Sequence, residues 1–247
     1  MGKSNQSTQE INSQAQNPLG TAPVGGLIAK FAIPAIISML VSAMYNIVDQ
    51  IFIGQGVGML GNAATNVAFP VTTIATALAL LLGIGGASNY NLEMGAGQEK
   101  KASGIAGTAL SSLVISGLIL AVIALVFLKP LLTLFGATTD VMPYAVDYTG
   151  ITALGLPFYI LSVGGNHVVR ADRSPTYSMT CIMIGAIINT ILDPVFIFVF
   201  GWGIKGAAWA TVIGQVVSGV LVIVYFWKFR NMYLTGAMLK PKMPYLK

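Results

Sequence analysis

The chain has 247 residues, of which only 9% are Asp, Glu, Lys or Arg, while 55% are hydrophobic and the mean hydropathy is +0.78. A soluble domain carries about 25% charged residues, so this chain lacks the charge to form a water-facing surface. The net charge of +5 does not gather on one polar face, which argues against nucleic acid as a partner. The basic residues sit between long apolar runs, where membrane orientation is encoded. Cys181 and His167 are the sole cysteine and histidine. They offer no internal disulfide and no Cys/His metal set. Cys181 reads as a small packing residue, and His167 as an ordinary helix-end residue, with a proton relay as the alternative.

Residues 1–26 are rich in Gln, Asn, Ser and Gly and read as a polar, solvated tail. The tail lacks the basic-then-apolar pattern of a cleaved signal peptide. Six apolar runs follow, at roughly 27–53, 63–88, 103–128, 141–167, 176–200 and 207–228. Each has the ~20 residues that cross ~30 Å of hydrocarbon. The connectors are short and carry turn residues: Gly54 to Gly61, Gly95 to Gly97, Gly136 to Thr139, Arg170 to Pro175 and Gly201 to Gly206. The expected fold is all-α, an integral membrane bundle of six transmembrane helices over 27–228, with a basic segment at 229–247. No soluble catalytic domain fits between the runs.

Lys and Arg give the expected orientation. With a cytoplasmic N-terminus, the inside segments hold Lys3, Lys30, Lys100, Lys101, Arg170, Arg173, Lys228, Arg230, Lys240, Lys242 and Lys247, and the outside segments hold only Lys129 and Lys205. This bias expects both termini inside. Small residues such as Gly83, Gly85, Gly86, Ala87 and Ser88, and Gly104 with Gly107, suit close helix packing in lipid. Pro34, Pro70 and Pro157 each remove a backbone hydrogen bond within a run and can bend it.

A charge inside a span costs ~3 kcal/mol and by default marks function. Asp49 and Asp193 lie well inside their runs; Asp147 lies nearer an end, where it can face headgroups. Tyr45 and Asn46 share a helical face with Asp49, and Asn189 shares one with Asp193. Pro194 blocks the hydrogen bond to the Thr190 carbonyl, which adds an oxygen beside the carboxylate. Oxygen sets of this kind suit a hard cation such as sodium, and a lone carboxylate in a dry site suits a proton. Counted from the outer ends, Asp49, Asp193, Tyr148 and Thr211 all lie ~7–12 Å deep and can converge. Asn166 follows Tyr148 by 18 residues, ~27 Å along a helix, and is expected outside that cluster.

At these residues the chain resembles the multidrug and toxic compound extrusion (MATE) transporters. The resemblance rests on NPLGTAPVGGLIAKFAIPAIISMLVSAMYNIVDQIFIGQGVG, VVRADRSPTYSM and IINTILDPVFIFVFGWGIKGAAWATVIGQ, in that order, and runs from about residue 17 onward. It implies one lobe of a twelve-helix, two-lobe fold. It also implies a cation or proton site at Asp193, Asn189, Asp49, Thr211, Tyr148 and Tyr45, and a bend in the first helix at Pro34. The implied activity is cation- or proton-coupled antiport of amphiphilic or cationic organic compounds across the plasma membrane. The only metal or cofactor implied is sodium at Asp193, with a proton as the alternative. Arg173 departs from the family pattern, which has Gly there, and a changed turn is expected. Stopping after six helices implies a fragment, or a half that needs a second lobe, a second chain or a homodimer partner. Membrane lipids are the other expected contact. Three alternatives compete. A non-transporting subunit fits an isolated lobe. A lipid-precursor flippase needs cavity cations, which the spans lack beyond their ends. An enzyme needs a nucleophile and base at membrane depth, and none is expected.

Overall fold

The computed structural model describes residues 24–227. The expected basic segment at 229–247 lies outside the described residues, as does the expected polar tail except for its last three positions. In hydrocarbon no water satisfies the backbone, so long apolar runs fold into helices. The elements are α1 (Val24–Gly56), α2 (Met59–Gly95), α3 (Glu99–Val126), α4 (Leu128–Leu134), α5 (Met142–Ala171), α6 (Pro175–Pro194), a π-helical turn (Val195–Val199) and α7 (Gly203–Trp227). Six of the described helices are long and apolar enough to cross a membrane, with α6 and its π turn forming one span. The six expected runs are therefore six helices, most of them longer than expected. The one helix not foreseen is the short α4, inside the connector before α5.

Four of the five connectors turn through glycines with positive φ: Gly58, Gly97, Gly136, and Gly201 with Gly203. The fifth turns at Arg173, with φ 62°. A changed turn was expected there. Arg173 takes the left-handed conformation that glycine favours. Arg170 was expected in this connector but lies in the last turn of α5, where a cation complements the helix dipole.

α5 is the hub, packed on α2, α3 and α7. Small residues bring these backbones together. A Cβ on Gly83 of α2 would stand 2.5 Å from Gly164 Cα of α5, and one on Gly117 of α3 would stand 2.6 Å from Pro157 Cα. Cys181 is buried in this core, as expected of a packing residue. α6 crosses α7 equally closely, with a Cβ on Gly185 falling 2.9 Å from the Gly214 carbonyl. α1 is different. It leans on α6 and touches α2 and α7 only lightly, and Ile36, Met39, Leu40, Met44 and Ile47 on it are exposed. It remains helical through Pro34.

Candidate functional site

The close crossing of α6 and α7 puts the next turn of each face to face. Asn189 stands one turn beyond Gly185, with Thr211 opposite it on α7. With its carboxamide turned so that nitrogen faces the acid, Asn189 donates to Asp193 Oδ2 at 3.3 Å and accepts from the Thr211 backbone N–H at 3.2 Å. The other orientation leaves only long contacts, 3.5 Å to Asp193 Oδ1 and 3.4 Å to Thr211 Oγ1. The first satisfies both ends of the amide and is the assignment adopted.

α1 closes the site from the other side. Asp49 and Asp193 are both buried, and their carboxyl groups lie within hydrogen-bonding reach of one another. Asp49 Oδ1 is buried with no hydrogen-bond donor. Two carboxylates in contact and away from water repel, so a cation must sit with them or a proton must join them. Tyr45 and Tyr148, both half-buried, complete the enclosure. Both stand near the two acids, and Tyr148 also stands near Thr211. Ile53, Ile197, Ile204 and Ala207 seal the end of the site nearest the π turn, with Tyr148 packed against them.

The structure thus brings together Asp49, Asp193, Asn189, Thr211, Tyr45 and Tyr148, the six expected residues. Pro34 lies about four helical turns away on α1 and takes no part in this cluster. Asp147 is also outside it, half exposed and paired with Lys205 at 3.4 Å. Among the described residues no three His, Cys, Asp or Glu side chains converge. The site's oxygens come from two carboxylates and neutral groups, a set that suits a proton or a monovalent hard cation.

A crevice of about 400 Å³ runs from this site along α1, α5, α6 and α7 toward the opposite end of the bundle. Ser38, Ser42 and Asn46 line it from α1, Tyr159, Ser162 and Asn166 from α5, and Gln215 and Ser218 from α7. Ser162 and Ser218 bond across it at 2.6 Å. Asn166 Oδ1 and Gln215 Oε1 are buried acceptors with no donor. Asn166 is, as its depth requires, far down the crevice from Tyr148. Sequence reasoning did not single out Gln215, although it lies one turn from Thr211 on the same face. It also missed Gln50, which accepts from Thr65 Oγ1 at 3.1 Å and lies beside Asp49. Gly155 makes room for Gln215, whose Oε1 would collide with any Cβ added there.

Residues 34–195 match the family model described as MatE. Over 196 residues the chain is 31% identical to Multidrug export protein MepA of Staphylococcus haemolyticus, covering 79% of this chain and 43% of that protein. Over 215 residues it is 33% identical to the FAD transporter of Shewanella oneidensis, covering 83% and 47%. Among solved structures, the MATE multidrug transporter DinF-BH matches with a TM-score of 0.82 at 35% identity, over 88% of this chain and 49% of that one. MATE in the bent conformation matches at 0.81 and 28% identity, over 89% and 49%. The chain spans about half the length of the relatives it matches.

Proposed function

The chain belongs to the MatE family, and from that premise we propose that it acts as the N-terminal six-helix lobe of a cation- or proton-coupled antiporter exporting amphiphilic or cationic organic compounds. The observation that carries this reading is the pair Asp49 and Asp193, buried face to face from α1 and α6. Asp193, held by Asn189, is the main cation or proton site, and Asp49 is its coupled partner. Tyr45, Tyr148 and Thr211 complete the oxygen set. If sodium is the coupling ion, it supplies charge balance between the two acids.

α1 contributes Asp49 yet is the least embraced of the six long helices. Charge balance at the acid pair decides how tightly α1 holds to α6, and Pro34 gives α1 a point at which to bend. Occupancy of the site therefore reshapes the crevice wall formed by Ser38, Ser42 and Asn46. The relatives' names divide on cargo, multidrug export for one and FAD for the other. The unmatched acceptors Asn166 Oδ1 and Gln215 Oε1 favour cargo that brings donors. The crevice needs an opposite wall, which a second lobe, a second chain or a second copy would supply. We place the assembly in the plasma membrane with both termini cytoplasmic.

The test is Asp193→Asn in the assembly with its second lobe, measured as dye efflux driven by a sodium or proton gradient. Efflux is expected to fall at least tenfold, with protein level and melting temperature little changed. Efflux that keeps its rate and its dependence on the gradient would remove Asp193 from the coupling site.

A further inference from the structure

A second cavity, of about 720 Å³, lies at the far end of the crevice between α1, α2 and the end of α5. His167 and Arg170 line both cavities and so stand at their junction. Arg170 is half-buried, and its Nε donates to Ser178 Oγ at 3.0 Å. That bond is its only side-chain partner among the described residues, and no carboxylate there pairs with it. Asp172 lines the same cavity, but Tyr90 donates to its Oδ1 at 2.8 Å and Tyr225 to its Oδ2 at 2.6 Å. The guanidinium is thus locked through Nε with its Nη groups left for something else. A half-buried arginine held in one orientation matches the fork geometry of a phosphate. Arg173 adds a second cation on the cavity wall, while Phe31, Ile84 and Met94 give it apolar sides.

We propose that Arg170, supported by His167 and Arg173, binds the phosphate of a phosphate ester in this second cavity. The apolar walls suit an ester carried on an amphiphile, and the same guanidinium would hold a free phosphate ester in the same way. The site does not rest on cation coupling. Asp193→Asn should leave it intact, so the two readings fail separately.

The test is native mass spectrometry of the 247-residue chain in detergent, given equal amounts of phosphatidylglycerol and of diacylglycerol with the same acyl chains. The wild type is expected to retain the phospholipid about tenfold over the neutral lipid. Arg170→Gln should reduce that preference to less than threefold, and Arg173→Gln should leave most of it. Glycerol 3-phosphate in excess tells the sources apart: displacement of the lipid identifies a site open to free esters, and no displacement identifies a headgroup site. Should Arg170→Gln not fold, Ser178→Ala frees the guanidinium without removing it and should lower the preference about threefold. An undiminished preference in a folded Arg170→Gln protein, or in Ser178→Ala where that is the variant read, overturns the proposal. So does an equal loss in Arg173→Gln, which would mean a general surface-charge effect.

Discussion

Arg173 carries a cost that its position does not require. A left-handed backbone costs a non-glycine residue roughly 1–2 kcal/mol, and Arg173 adopts it at φ 62°. Glycine would remove that strain but gain entropy in the unfolded chain, which offsets part of the benefit. Arg173→Gly is expected to stabilise the protein by about 1 kcal/mol, seen as a rise in melting temperature in detergent. A fall would show that the arginine side chain contributes more than its backbone loses. At this scale the acid pair is legible in the sequence, because a carboxylate in an apolar run has no cheap explanation and its partners follow at helical spacing. Gln215 and Gln50 are not, since a neutral amide inside a helix costs far less to bury than a carboxylate and gives no alarm, even at the middle of α7. Arg170 misleads for a related reason. Charge near the end of a run looks like a loop residue until the helix is seen to extend through Ala171 and to turn that side chain inward.

Two neighbouring glycines separate packing from composition at the scale of an element. Gly83 meets the backbone of Gly164, where a Cβ would stand 2.5 Å from Cα and carbonyl oxygen, whereas Gly85 has nothing within 4 Å. Backbone cannot retreat as a side chain can, so Gly83→Ala must push α2 off α5. Overpacking of this kind costs about 1–3 kcal/mol. Gly85→Ala should be neutral or stabilising by up to about 1 kcal/mol, because alanine is the better helix former. Thermal melting of the two variants side by side checks the pair, and equal effects would contradict the close α2–α5 crossing. The sequence marks both glycines as one small-residue patch and cannot say which faces a partner. That information lies in the crossing point, which no single helix encodes. Helix ends blur for the same reason: α2 runs through Asn89, Asn91 and Glu93 to Gly95, beyond its most apolar stretch, because its last turns pack beside α5 and α3.

The whole molecule is a bundle with its connectors at alternate ends, and its orientation in the membrane depends on very few charges. The segments expected outside hold only Lys129 and Lys205, and Asp147 partly offsets Lys205 at 3.4 Å. The segments expected inside hold the rest of the basic charge, and a reversed bundle would carry all of it across. The buried Cys181 leaves a quiet background for thiol labelling, so single exposed cysteines can report which end faces which side. Thr139 lies in the connector before α5 and Gln98 in the connector before α3, both exposed and at opposite ends of the bundle. With cytoplasmic termini, Thr139→Cys should react with a membrane-impermeant maleimide on intact cells, and Gln98→Cys only after permeabilisation. The inverse pattern would turn the bundle over, and with it the depth of both proposed sites. The acid pair would then lie near the cytoplasmic face and Arg170 near the exterior, the reverse of the arrangement that the proposed coupling assumes.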